Sequence, residues 1–165
     1  MLYRLRATGP VVLVPLAWGV VAAAHRSLVT ERTLLVAHLV MFALLVAFAA
    51  LSRADMTAGA LRVWWLLIVA GLVPTAAGAV GLLTDFRPLL WVALLGWAAL
   101  PAIGLWDTGQ RGASPAVGYL ASGALSALGA VACALGVVLG TPAILAGLVA
   151  VGVGQTAGIA AAVLH

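Results

Sequence analysis

Residues 33–51 read TLLVAHLVMFALLVAFAAL, an apolar run interrupted by one ionisable side chain, His38. At about 1.5 Å of rise per residue, roughly 20 helical residues cross the ~30 Å hydrocarbon core of a bilayer. A helix satisfies its own backbone hydrogen bonds, whereas a lone strand in lipid cannot. The stretch therefore predicts a membrane-spanning helix. It also makes His38 a candidate functional residue, because an ionisable group within a span is costly.

The composition of the whole chain indicates the same environment. Hydrophobic residues make up 65% of the 165 residues and charged residues 7%, with a mean hydropathy of +1.25. A soluble domain carries about 25% charged residues, so we predict a single integral membrane domain surrounded by the lipid bilayer. The net charge of +4 comes from scattered arginines, which do not form the clustered basic surface of a nucleic-acid-binding protein. Cys133 is the one cysteine, which excludes an internal disulfide and a multi-thiolate metal site.

Five other apolar segments resemble residues 33–51 in length and character. Helices are predicted at about residues 10–25, 33–51, 60–83, 88–106, 115–139 and 142–164. The predicted fold class is all-α, a polytopic bundle of six transmembrane helices, with residues 107–114 (DTGQRGAS) as a loop. The first segment also has the charge pattern of a signal peptide, and we interpret it as a span that is retained.

The arginines predict the orientation of the bundle. With the N-terminus inside, the inner face holds Arg4, Arg6, Arg53, Arg62 and Arg111, and the outer face holds Arg26, Arg32 and Arg87. Because cytoplasmic connections carry the excess of basic residues, we expect a cell-membrane protein with both termini in the cytoplasm.

Two short matches suggest an internal repeat of about 80 residues. Residues 16–19 (LAWG) match residues 95–98 (LGWA), and residues 75–76 match residues 156–157, both Thr-Ala. Three spans in each half would invert the halves relative to the membrane, as in many transporters. Chance similarity between segments rich in Ala, Gly and Leu is the alternative.

Small residues recur at every fourth position in the last two predicted helices. They are Gly118, Ser122, Ser126, Ala130 and Ala134 in one helix, and Ala146, Ala150, Gly154, Gly158 and Ala162 in the other. Small residues four apart let helix backbones approach closely in lipid. We expect Gly118, Ser122, Ser126, Gly154 and Gly158 to hold these two helices together, and a homo-oligomer interface is the alternative use.

Several polar side chains fall inside the predicted spans. Burying the Gln155 amide without a partner would cost about several kcal/mol, and the indole N–H groups of Trp18 and Trp97 also need acceptors. With Thr75 and Thr156, these residues are candidates for a ligand site or a pore. The alternative for Gln155 is a hydrogen bond between helices, and the alternative for Trp18 and Trp97 is that they fill space opposite the last two helices.

His38 is also a candidate haem ligand, because a neutral imidazole within an apolar helical bundle is a usual axial ligand. His25 is the second ligand available from the same chain, and a second His38 in a dimer is the alternative. The simpler interpretation of His38 is a histidine hydrogen-bonded to a neighbouring helix or to interfacial water, and that of His25 is an interfacial residue beside Arg26.

The sequence Ala37-His38-Leu39, followed by Met41-Phe42, resembles the start of helix two in subunit I of the haem–copper oxidases and nitric oxide reductases. The resemblance covers residues 10–83. It implies a haem on His38 and agrees with an inside N-terminus. No later predicted helix contains a histidine, so the second haem ligand and the copper ligands of that family are missing. Oxygen or nitric oxide reduction is therefore excluded.

The acidic residues lie in the predicted connections, and no catalytic motif occurs in the sequence. Ion-coupled transporters usually need a carboxylate within the membrane. These features favour a non-enzymatic protein, either a membrane-embedded binding module or a subunit of a larger membrane complex. A haem-binding protein that uses His38 and a small-solute channel or transporter built from inverted halves are the alternatives.

Overall fold

A computed structural model describes the backbone of residues 2–164 and the side chains of residues 11–164. The elements in chain order are α1 (Leu2–His25), α2 (Glu31–Leu51), α3 (Arg53–Met56), a 3₁₀ turn (Gly59–Leu61), α4 (Arg62–Thr84), α5 (Arg87–Gln110), α6 (Ala116–Leu139) and α7 (Thr141–Leu164). These residues contain no β-strand, so the predicted all-α fold class is confirmed.

Five helical segments in the described residues have the length and apolar composition of membrane spans. They are Glu31–Leu51, Gly59–Thr84, Arg87–Gln110, Ala116–Leu139 and Thr141–Leu164. The apolar part of α1 with described side chains, Val11–His25, is shorter. Six spans and the orientation of the termini therefore stay predictions, and the side chains of Arg4 and Arg6 lie outside the described residues.

Helix α5 extends further than its sequence predicted. Residues 107–110, expected to be loop, form its last turn. The hydroxyl of Thr108 donates to the Gly104 carbonyl at 2.8 Å, and Arg111 bonds back to Asp107. The loop prediction was wrong here because these polar side chains find partners within the helical turn itself.

The helix ends carry residues suited to stopping a helix. The Thr30 hydroxyl accepts from the Thr33 amide at 3.2 Å and so caps the start of α2. Helix α4 ends at Asp85 in the left-handed region (φ 52°), where the Phe86 amide donates to the Gly81 carbonyl at 3.1 Å. Gly140 (φ 81°) turns the chain directly from α6 into α7, a conformation that favours glycine.

The chain divides into two compact units. The first unit is Met1–Leu28 with Pro101–His165, where α6 packs against α7 and α7 against α1. The second unit is Val29–Leu100, where α2 packs against α4. These units differ from the predicted halves, which meet at residue 83, because α5 contributes its first part to the second unit and its last part to the first unit.

The contact between α6 and α7 follows a spacing that alternates between four and three residues. The buried positions include Ser122, Ser126, Gly129, Cys133 and Gly136 on α6, and Ile144, Gly147, Val151, Gly154 and Gly158 on α7. A row of every fourth residue rotates by about 40° per step around a helix with 3.6 residues per turn. The predicted rows therefore leave the contact face, and Ala134 and Ala162 at their ends are exposed.

Candidate functional site

The first unit contains a buried polar cluster that joins three helices. We call Trp18, Gly152, Gln155 and Ser126 the Trp18 cluster. The Trp18 indole on α1 donates to Gln155 Oε1 on α7 at 3.0 Å, and Gln155 Nε2 donates to Ser126 Oγ on α6 at 3.3 Å. Gln155 is 4% exposed and Ser126 is fully buried. The cluster therefore gives the buried Gln155 amide the hydrogen-bond partners that its sequence position was expected to require.

The Trp18 side chain lies beside a glycine one turn from Gln155. A methyl group added at Gly152 would lie 3.5 Å from the Trp18 Cβ, which is ordinary van der Waals contact. The tryptophan thus lies on the α7 backbone with its indole N–H directed to the amide. Each pairing inside the cluster is set by residues of the same unit.

The second unit contains a related cluster, formed by Trp97, Thr75 and Gly71 and called the Trp97 cluster. The Trp97 indole on α5 donates to Thr75 Oγ1 on α4 at 3.0 Å. That hydroxyl donates to the Gly71 carbonyl at 2.7 Å, and Thr75 is fully buried. A methyl group at Gly71 would lie 2.7 Å from Cη2 of Trp97, so the glycine makes room for the ring.

The two clusters have matching positions along the chain. The tryptophans are 79 residues apart, the acceptors Gln155 and Thr75 are 80 apart, and the two glycines are 81 apart. The sequence matched Thr75 with Thr156, whereas the acceptor in the structure is the preceding residue, Gln155. The glycines were missed, and the 81-residue shift that matches Thr75 with Thr156 would also have matched Gly71 with Gly152.

Thr156 has a different role from Thr75. Among the described residues, its Oγ1 is the one buried side-chain oxygen or nitrogen without a hydrogen-bond partner. Thr156 borders a groove of about 360 Å³ in the first unit, lined by apolar atoms of Pro15, Val153, Ala157 and Ala160 among others. The groove is open at the surface and directs no polar atom inward, so it shows no specific ligand chemistry.

His38 belongs to the stripe by which α2 contacts α4. Its Nδ1 donates to the Leu34 carbonyl at 2.8 Å, which leaves Nε2 as the unprotonated ring nitrogen when the imidazole is neutral. The Cδ2–Nε2 edge of the ring lies against Gly78, so closely that a methyl group at Gly78 would overlap it. Ala93 of α5 lies beside the same glycine.

This packing does not fit a haem on His38. Iron binds in the plane of the imidazole, beyond Nε2, and that edge faces the α4 backbone at Gly78. A macrocycle centred there would overlap α4. His25, the second candidate ligand, is exposed in the first unit and its Nδ1 donates to the Val21 carbonyl at 3.0 Å.

No group of three or more His, Cys, Asp or Glu side chains suited to a metal ion occurs among the residues described. Cys133 is buried, and its thiol donates to the Ile144 carbonyl at 3.6 Å across the α6–α7 contact. The Cys133 thiol therefore takes part in the contact between α6 and α7.

The proposed helix-packing residues divide into three groups. A methyl group at Gly154 would lie 2.7 Å from the Ser122 carbonyl oxygen and 2.9 Å from the Ser126 amide nitrogen, so these three residues meet across the α6–α7 contact. Gly158 lies against Leu105 of α5 instead. The nearest atoms to Gly118 are those of Pro115, three residues earlier.

The charged groups near the end of α5 form an exposed ion pair. Arg111 Nε and Asp107 Oδ2 are 2.6 Å apart, and a second bond joins Arg111 to Asp107 Oδ1 at 3.0 Å. The hydrogen bond to Asp107, and then its negative charge, raise the pKa of Arg111 above its ordinary value. The guanidinium is therefore charged at every working pH, as expected for a headgroup contact.

Comparisons with protein families, curated proteins and solved structures found no match for this chain.

Proposed function

We propose that the chain is a non-enzymatic multi-pass membrane protein that serves as a binding module or subunit of a larger membrane assembly. The observation that carries this proposal is the exposure of α2. Only 6% of its most apolar 18-residue stretch is buried inside the protein, whereas the corresponding stretches of the other four long helices are 33–44% buried.

Helix α2 contacts the rest of its unit along one narrow stripe. The covered positions are Leu34, Leu35, His38, Met41, Leu45 and Ala49. Two large rings, Phe42 and Phe48, flank this stripe and are 37% and 51% exposed. The exposed residues Ala43 and Ala47 lie one turn apart on the opposite surface of the helix.

This surface has the features that let two membrane helices associate. In lipid, apolar surface alone gives no driving force, and helices associate where small residues permit close approach. Ala43 and Ala47 provide such a pair, and the two phenylalanines can fit beside a partner helix. We infer that the occupant is a transmembrane helix of a different subunit.

The mass of the extracted protein tests this proposal. From membranes that contain it naturally, mild detergent should release an assembly larger than 16.6 kDa with a second polypeptide in fixed ratio. Ala47→Leu should release a single chain, whereas Ala127→Leu, at an exposed position on α6, should leave the assembly intact. A single chain from the wild type, or whole multiples of 16.6 kDa, would contradict the proposal.

A small-solute transporter built from inverted halves is the second candidate, favoured by the matching positions of the two tryptophan clusters. Inverted repeats usually place the substrate site near the bilayer midplane. Reconstituted liposomes would then show solute flux above protein-free liposomes, and Gln155→Leu would abolish it while Trp106→Phe would not. Flux equal to that of protein-free liposomes for water, glycerol and urea would remove this candidate.

A further inference from the structure

The two units are covalently connected at only two places. One is the connection between α1 and α2, at Leu28–Val29, next to Ser27 in a left-handed conformation (φ 58°). The other is Leu100–Pro101, inside the continuous helix α5. A regular helix is stiff and would make the two units move together. Whether the units can move separately therefore depends on how regular α5 is at Leu100–Pro101.

The first part of α5 is held by the second unit. A methyl group at Gly96 would lie 2.7 Å from Pro74 Cβ on α4. One residue later, the Trp97 indole donates to Thr75. Both contacts are with α4, and the residues that make them are buried or half-buried.

The last part of α5 is held by the first unit. The Ala102 carbonyl oxygen and the Trp106 amide nitrogen would lie 3.1 and 3.2 Å from a methyl group at Gly123 on α6. Leu105, 2% exposed, lies against Gly158 on α7. The helix therefore changes its partners between Trp97 and Ala102.

Pro101 lies within this change of partners. It has no N–H to donate to the Trp97 carbonyl, and its ring crowds that carbonyl, so the helix is weakened at this turn. Pro74 in α4 is the control for Pro101, because it is also a proline inside a helix but the chain on both sides of it belongs to the second unit. Its ring is buried against Gly96.

We propose that α5 contains a hinge at Pro101, about which the two units move as separate bodies, with the Leu28–Val29 connection as the second pivot. The device needs no ligand and does not depend on which proposed function is correct. It belongs to the domain movements in which a few residues absorb the change in backbone angles.

Spin-label distances on the full chain in lipid nanodiscs test the hinge. Cys133→Ala removes the native thiol, and labels at Leu83→Cys and Val138→Cys report on the distance between units. Labels at Leu51→Cys with Leu83→Cys, and at Leu13→Cys with Val138→Cys, report within the second and the first unit.

We expect the distance distribution between units to be at least twice as broad as either distribution within a unit. Pro101→Ala should narrow it to the width found within the units, whereas Pro74→Ala should leave it broad. Pro101→Gly removes the proline ring but also weakens the helix, so the distance distribution between units should stay broad in this variant. A broad distribution for Pro101→Gly would show that the narrowing by Pro101→Ala comes from restoring the helix. A narrow distribution between units with Pro101 present, no effect of Pro101→Ala, or equal narrowing by Pro74→Ala would overturn the proposal.

Discussion

The two units use glycine for different purposes. In the first unit, a methyl group at Gly129 would lie 2.7 Å from both the Gly147 carbonyl oxygen and the Val151 amide nitrogen. In the second unit, Gly71 and Gly78 face the rings of Trp97 and His38. Backbone cannot move aside without separating the helices, whereas a side chain can rotate. Substitution should therefore be tolerated less well at Gly129, which faces backbone, than at Gly71 and Gly78, which face side chains.

The polar clusters differ in a parallel way. Gln155 uses both ends of its amide and so joins α1, α6 and α7. Thr75 uses one hydroxyl, accepting from Trp97 on α5 and donating to the Gly71 carbonyl of its own helix. The first unit thus gains a connection among three helices, and the second unit gains a connection between two.

The largest effect is expected for Gly129→Ala. The added methyl group meets backbone atoms of α7, so the substitution should lower the free energy of unfolding by about 3 kcal/mol. Gly19→Ala is the control, because no atom lies within 4 Å of the added methyl group at that position. Unfolding in mixed detergent micelles, followed by tryptophan fluorescence, measures both. Equal losses for the two variants would contradict the assignment of backbone contact to Gly129.

Next in size are the two acceptor substitutions. Gln155→Leu leaves the Trp18 indole and the Ser126 hydroxyl without this partner and should cost about 2 kcal/mol, whereas Thr75→Val should cost about 1 kcal/mol. Thr75→Ser retains the hydroxyl and should keep most of the stability. The same unfolding assay applies, and a larger loss for Thr75→Val than for Gln155→Leu would show that the three-helix connection is the weaker one.

A smaller effect is expected at the contact between His38 and Gly78. Gly78→Ala forces the imidazole to move and should cost about 1 kcal/mol. In the double variant with His38→Ala, the cost of Gly78→Ala should fall to that of the remaining contact with Ala93, because the ring that it displaces is gone. Additive losses in this cycle would contradict the contact.

His38 also permits a direct test of the haem hypothesis. Since Nε2 faces α4, we expect protein purified from cells supplied with haem to show no Soret absorbance that depends on His38. A Soret band in the wild type that is absent in His38→Ala would require α2 and α4 to separate. It would thus contradict the packing described for the second unit.

The smallest effect is expected for Asp107→Asn. Both partners of the ion pair are reached by water, and such pairs contribute little to stability. The pKa of Arg111 is raised, so any stabilisation from its charge is present below its ordinary pKa and is lost only in strongly alkaline solution. Because the pair is exposed, the substitution should change the unfolding midpoint only slightly, and by the same amount at every pH between about 5 and 9. A large shift of the midpoint within this range would contradict the surface position of the pair.

The sequence predicted the helices well because their signal is local. The predicted segments 33–51, 115–139 and 142–164 lie within two residues of the observed helices. It also indicated that Gln155, Trp18 and Trp97 need partners, since burying an unpaired polar group is costly whatever the fold. The pairing itself depends on which helices are neighbours, and no periodic pattern in one helix contains that information.

The division into units could not be predicted for a related reason. Predicted halves follow the order of the chain, whereas the units follow the contacts of α5 on either side of Pro101. A proline within an apolar run indicates a weakened helix, and it does not indicate which neighbours hold the two ends. Similarly, small residues at every fourth position were visible, but the alternating spacing of four and three follows from how α6 and α7 cross.

Each unit contains its own tryptophan cluster, and the indole N–H of each cluster has its own acceptor. Nuclear magnetic resonance of the indole N–H groups tests this pairing most directly, with each signal assigned by a single Trp→Phe variant. We predict that Gln155→Leu shifts the Trp18 indole proton upfield and leaves Trp97 unchanged, and that Thr75→Val does the reverse. Two separate clusters would be contradicted if neither indole signal responds to either substitution. They would also be contradicted if each substitution shifts both indole signals.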